Sequence, residues 1–108
     1  ADPAKVREAL LGGFAQSRIL EVHGERMIKR NFQPGFRARL QQKDLNIVLQ
    51  TARSIGVSMP ATTMAQEMYN SLAAYDGADL DHSALVQSIE RLAQHQLANS
   101  DGNGKGAI

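Results

Sequence analysis

The chain contains no cysteine, which removes disulfide frameworks, thiolate metal sites and cysteine nucleophiles together. It has no apolar run near the roughly 20 residues a membrane-spanning helix needs, and no signal-peptide pattern at its start. Neither sign of charge dominates. Twelve basic residues against eleven acidic ones leave a formal charge of +1, so there is no general electrostatic case for a nucleic-acid or membrane partner. Strand-type alternation of apolar and polar residues is missing, as is any internal repeat. Gly102, Gly104 and Gly106 follow no strand and precede no helix, so the glycine fingerprint of a dinucleotide-binding turn is also absent. The histidines His23, His82 and His95 fall at no paired zinc spacing, and no metal site is expected. Ser83 lacks a nucleophile, base and orienter pattern.

What is present is helical periodicity. Asp2-Pro3 is a helix opening, because Asp accepts unused amide hydrogens and Pro is tolerated in the first turn. Val6, Ala9 and Leu10 then form a stripe that Gly12-Gly13 stops. Ser17 is placed to cap a second helix through about Lys29, with Ile19, Leu20, His23, Met27 and Ile28 facing inward. Gly24 weakens it by roughly 1 kcal/mol relative to alanine and marks close packing or a bend. Lys29 and Arg30 suit its negative end. A third helix is expected from about Arg39 to Ser54, with a main stripe of Leu40, Asp44, Val48 and Thr51 and with Leu45, Leu49 and Ala52 beside it. The fourth opens at Pro60, with Met64, Met68 and Leu72 recurring along it and Ala65 and Tyr69 flanking. Asp81 or His82 precedes a last helix whose stripe is Leu85, Ile89, Leu92 and Gln96.

Five short helical segments without strands give an all-α domain over residues 1–97. Residues 98–108 are too polar and glycine-rich to add to a core and are expected to be mobile. At 108 residues the chain is long enough for one domain with a modest core, and too short for a dinucleotide-binding domain plus a substrate domain. Its start at Ala1, without an initiator Met, reads as a fragment or processed chain.

The organising stretch is Arg30-Asn31-Phe32, Pro34-Gly35-Phe36 and Lys43-Asp44-Leu45. Pro34-Gly35 is a turn signal. It leads into a helix on which Asp44 lies next to an apolar stripe, so that carboxylate must be paired, hydrogen-bonded or facing a wet cleft. Arg37 and Arg39 are suited to grip a carboxylate, whether that of Asp44 or of a ligand, but neither is assigned to a site. By pattern alone Lys43 reads as a solvated surface cation, and Phe36 as core.

In this order and spacing, together with Asp81-His82-Ser83-Ala84-Leu85 and Glu90-Arg91-Leu92-Ala93, these residues resemble the C-terminal helical domain of the beta-hydroxyacid dehydrogenases. The resemblance covers residues 1–96, and within the family the tartronate semialdehyde reductase branch is the most similar. It implies a bundle like the C-terminal domain of 6-phosphogluconate dehydrogenase, here missing its first long helix. It further implies a parent enzyme that transfers hydride between NAD or NADP and a small semialdehyde acid, most simply tartronate semialdehyde to glycerate. Substrates of 3-hydroxyisobutyrate dehydrogenase and of glyoxylate/succinic semialdehyde reductase are the alternatives. Carried over by position, Lys43 becomes a cofactor contact, and Phe36 and Asp44 become substrate-pocket residues. The catalytic lysine of the family belongs to a glycine-rich segment that would precede Ala1.

The resemblance also implies homo-oligomers, and loss of the long helix would leave an apolar face uncovered. A cytoplasmic enzyme is compatible with the absence of cysteine. A non-catalytic helical interaction module and, last, a nucleic-acid-binding bundle are the competing classes.

Overall fold

The computed structural model describes residues 1–97, and the polar tail lies outside the described residues. There the chain is all-α, with five α-helices, one π segment, one 3-10 turn and a lone Arg37 to Asp81 bridge in place of strands. It divides into two compact units: residues 1–32 with 90–97, and residues 33–89. No helix among the described residues is long and apolar enough to cross a membrane.

In the first unit, α1 (Pro3–Leu11) starts as expected: the Asp2 carboxylate accepts the Ala4 amide at 3.0 Å, and Pro3 occupies the opening turn. Ser17 Oγ likewise accepts the Leu20 amide at 2.9 Å. The second helix is not uniform, since Leu20–Gly24 is a π segment before α2 (Glu25–Lys29). Gly24 lies in that wider turn. A Cβ on it would come within 3.3 Å of Arg7 Cδ and Leu20 Cδ1, so the close-packing reading holds. Ile19, expected inside, is exposed. Val6 and Leu10 are also largely exposed, and α1 buries no residue completely.

The same unit holds a buried ion pair. Arg30 takes the left-handed conformation that ends α2, with φ 54°. Its guanidinium reaches Glu90 at 2.7 and 3.0 Å and stacks 5.5 Å from the Phe32 ring. Glu90 Oε2 also accepts the Leu97 amide at 2.6 Å. Arg30 thus does more than suit the helix dipole.

The second unit is built on α3 (Ala38–Ile55) packed against α4 (Pro60–Ala74), with a 3-10 turn (His82–Leu85) against both. Its core is small: Ala38, Leu49, Ala52, Tyr69, Leu72 and Ala84 are the buried apolar residues. Gly77 sits so close to Leu72 that any Cβ there would overlap the leucine side chain.

Three inward faces expected from periodicity are reversed or shifted. On α3 the flanking row of Leu45, Leu49 and Ala52 turns in, while Leu40, Asp44, Val48 and Thr51 face out. On α4 Leu72 is fully buried but Met64 is 70% exposed, so Met64 fills no packing gap. On α5 (Val86–Ala93), Ile89 and Leu92 face out, whereas Ser88 and Glu90 are buried; the helix also ends before Gln96. The physical reason is that Ser88 and Glu90 have partners that repay desolvation, Ser88 through a 3.0 Å bond to the Met68 carbonyl. Apolar periodicity finds a helix more reliably than it finds which of two adjacent stripes meets a neighbour.

Candidate functional site

The loop of Pro34, Gly35 and Phe36 leads directly into α3, and residues 77–83 hold it from the other side. The N-terminus of α3 has no side-chain cap. Its first amides donate instead to chain carbonyls, Ala38 N–H to Leu80 O and Arg39 N–H to Ala78 O, both at 2.8 Å. These bonds answer the unused donors that every helix start carries.

Asp81 completes the attachment. Its side chain is fully buried. Oδ1 accepts the Gly35 amide at 2.9 Å and the Phe36 amide at 3.1 Å. Oδ2 accepts the Ser83 amide at 3.0 Å and the Ser83 hydroxyl. Burial alone would raise this carboxyl, but the Ser83 hydroxyl and the amides of Phe36, Ser83 and Gly35 outweigh it and hold the group well below the usual carboxylate range. The next residue continues the clasp. His82 N–H donates to Phe36 O at 2.7 Å, and its ring meets the Phe36 ring edge-on, with centroids 5.5 Å apart and planes at 75°. The Tyr69 hydroxyl donates to the His82 carbonyl at 2.9 Å. Burial first, and the Asp81 charge second, push the Tyr69 phenol up to about 12.

Phe36 therefore has its amide, carbonyl and ring edge engaged, yet it stays 38% exposed. It is a partly exposed ring held in place rather than a core residue. Lys43 and Asp44 lie further along α3, with Lys43 Nζ 3.6 Å from Asp44 Oδ1 and both side chains at least half exposed. The expected pairing of Asp44 with Arg37 or Arg39 does not occur. Those arginines turn to Asp79, at 3.7 Å and 3.1 Å respectively, because the residue 78–80 segment already lies against the start of α3.

Lys43 opens onto a polar cleft of about 560 Å³ between α3 and α4, which Arg39, Asn46, Arg53, Gln66 and Asn70 also line. The amide of Gln42 donates across it to Asn70 at 2.6 Å. The cleft offers cations and amide groups to a ligand and no apolar seat. Phe36 and Asp44 do not line it, although the Asp44 carboxylate lies 3.6 Å from Lys43 Nζ. Such a surface suits an anionic, hydrogen-bonding ligand; it contains no proton relay.

Sequence reasoning missed Asp81, His82 and Ser83 as the fasteners of the Phe36 loop. The local signal was that Asp81 or His82 precedes the last helix, and Asp81 does cap the 3-10 turn there, through the Ser83 amide.

The chain matches the family described as NAD-binding of NADP-dependent 3-hydroxyisobutyrate dehydrogenase over residues 1–89. It belongs to that family. Among curated relatives, it is 60% identical over 98 residues to the 2-hydroxy-3-oxopropionate reductase of Escherichia coli (strain K12), an overlap covering 91% of this chain and 34% of that protein. Against the probable 3-hydroxyisobutyrate dehydrogenase-like 1, mitochondrial, of Arabidopsis thaliana it is 37% identical, covering 93% of the chain and 30% of the relative. The glyoxylate/succinic semialdehyde reductase 2, chloroplastic, of the same plant is 29% identical over 82% of the chain and 25% of its own length. This member of the 3-hydroxyisobutyrate dehydrogenase family thus spans about a third or less of the length of these relatives.

Proposed function

We propose that the chain is the helical, substrate-side part of an NAD(P)-dependent oxidoreductase that reduces a small semialdehyde acid, with tartronate semialdehyde to glycerate as the reaction. The observation that carries this reading is the 60% identity to 2-hydroxy-3-oxopropionate reductase across nearly the whole described chain. The family's fold is taken to be the C-terminal-domain bundle of the 6-phosphogluconate dehydrogenase type, with residues 1–97 as its substrate and dimerisation portion.

The residues fit a nicotinamide cofactor at its edge only. The cleft at Lys43 is polar and lined with cations, but nothing in the sequence resembles a glycine turn for the pyrophosphate. Most of the binding then belongs to another part of the enzyme. When bound, the cofactor supplies the hydride. Lys43 orients it by charge and hydrogen bonding, and Asp44 at 3.6 Å limits where the ammonium can swing. Phe36 shields the reacting carbonyl from water, which strengthens the polar interactions around it. None of these groups is assigned the proton transfer. The exposed apolar residues of α3, Ile47, Val48 and Ile55, support homo-oligomers, because exposed apolar area of this kind is stabilised by cover.

The test is an assay on the full-length polypeptide with each nicotinamide cofactor: reduction of tartronate semialdehyde, glyoxylate and succinic semialdehyde by the reduced form, and oxidation of 3-hydroxyisobutyrate by the oxidised form. Preferential reduction of tartronate semialdehyde is expected, and no turnover from the 108-residue chain alone. Hydride transfer to none of the panel would refute the reading. In the active enzyme Lys43→Ala is expected to raise the KM for the reduced cofactor about tenfold, the scale of one lost charged hydrogen bond, with a smaller effect on kcat. An unchanged cofactor KM removes Lys43 from the binding surface.

A further inference from the structure

We infer that His82, backed by Asp81, is a positioning residue for Phe36 and through it sets the length of semialdehyde acid that the enzyme accepts. The inference rests on the proposed function, and specifically on Phe36 lining the substrate pocket.

The geometry concentrates control of Phe36 in two consecutive residues. A phenylalanine at the mouth of a loop would ordinarily choose among rotamers according to what surrounds it. Here its amide is bound by the Asp81 carboxylate at 3.1 Å and its carbonyl accepts the His82 amide at 2.7 Å. Its ring rests against the imidazole, edge to face at 5.5 Å, the arrangement aromatic pairs favour. The backbone contacts fix where the Cα–Cβ bond leaves the chain; the imidazole then limits how far the ring can turn. His82 is itself anchored, since its carbonyl accepts the Tyr69 hydroxyl at 2.9 Å and α4 carries Tyr69 on its buried side.

Asp81 and His82 have different parts in this. Asp81 is completely buried and its oxygens are occupied by Gly35, Phe36 and Ser83. It can hold the loop but cannot meet a substrate. His82 supplies the side-chain stop. Removing the imidazole leaves the backbone clasp in place and takes away the stop against the ring of Phe36, so the pocket wall recedes without the loop detaching. A receding wall favours the longer substrate, and one extra methylene accommodated or refused is worth about tenfold or more in discrimination.

The experiment uses the full-length enzyme. The kcat and KM are measured for the shorter tartronate semialdehyde and the longer succinic semialdehyde, with the cofactor KM alongside, in wild type, His82→Ala, Phe36→Ala and the double variant. The expected result is a shift of about tenfold in the ratio of kcat/KM values toward succinic semialdehyde in His82→Ala, carried mainly by KM, with the cofactor KM unchanged. The double variant should shift the ratio no further than Phe36→Ala, because residues acting through one contact are not additive. A merely structural histidine would lower kcat for both substrates equally and leave the ratio where it was; that outcome overturns the inference. If His82→Ala does not fold, Tyr69→Phe, which loosens the anchor of His82 by one hydrogen bond, must move the ratio in the same direction by a smaller factor, and an unmoved ratio overturns the inference equally. Absence of turnover in wild type refutes the functional reading and the inference with it, whereas an active enzyme with an unmoved ratio refutes the inference alone.

Discussion

Replacing Asp81 by asparagine is expected to destabilise the chain by about 3–5 kcal/mol, read as a lower urea midpoint with an unchanged slope. The carboxylate collects four donors: the amides of Gly35, Phe36 and Ser83 and the Ser83 hydroxyl. Asparagine keeps one acceptor oxygen and turns an NH2 group toward donors on the other side. At least one buried donor then loses its acceptor, which costs about 1–3 kcal/mol, and the remaining bonds to a charged acceptor become weaker bonds to a neutral one, about 1 kcal/mol less apiece. The core formed around Leu49, Tyr69 and Leu72 is small, so a loss of that size is a large share of the roughly 5–15 kcal/mol that domains possess.

The same carboxylate sets an acid limit. Its folded pKa is depressed below the ordinary value of 3.8, so the unfolded chain binds the proton more readily. The stability contributed by Asp81 is complete above about pH 4 and is lost as pH falls from there through the folded value. Wild type should show this loss in a series of urea melts below pH 4, and the asparagine variant should show a flatter profile. Equal slopes in the two proteins would mean that Asp81 is not the group responsible.

Glu90→Ala is expected to cost a further large amount, about 3–5 kcal/mol, because it breaks a buried ion pair from one side. Glu90 is 4% exposed and binds the Arg30 guanidinium at two points while accepting the Leu97 amide. Truncation removes the carboxylate against which Arg30 was desolvated. Exchanging both residues for apolar ones of similar volume should restore much of the loss, since a matched apolar pair avoids desolvating charge. Thermal melts of the single and double variants distinguish these cases: a double variant as unstable as Glu90→Ala would show that the region depends on charge rather than on packing.

Helix starts were legible because they depend on neighbours in sequence. Asp2, Ser17 and Pro60 are where capping chemistry requires them. The all-α class followed from the same local information, and the ordered series from Arg30 to Leu45 carried the family. Facing was less legible. The rows Leu40–Asp44–Val48 and Leu45–Leu49–Ala52 lie roughly 100° apart on one helix, and only the packing of α3 on α4 selects between them. Apolar residues that end outside, such as Met64 and Leu92, and polar ones that end inside, such as Ser88 and Glu90, cannot be told from a hydrophobicity pattern, because the partners that make burial tolerable are distant in sequence.

The site divides along the same line. Lys43, Phe36 and Asp44 are proposed from the resemblance to the family, whose motifs are defined by neighbours in the chain. The clasp on Phe36 was not legible in that way: Asp81 is 45 residues away from the amide it binds, and Arg30 is 60 residues from Glu90. The sequence by itself determined the helical class, the helix openings and the family. Tertiary structure alone decided which stripes are buried, that Arg37 and Arg39 meet Asp79 instead of Asp44, and that a buried aspartate and its neighbouring histidine hold the Phe36 loop. Local preferences act through the next few residues along the chain, whereas a hydrogen bond to a buried charge requires two distant segments to be brought within about 3 Å, and only the folded packing does that.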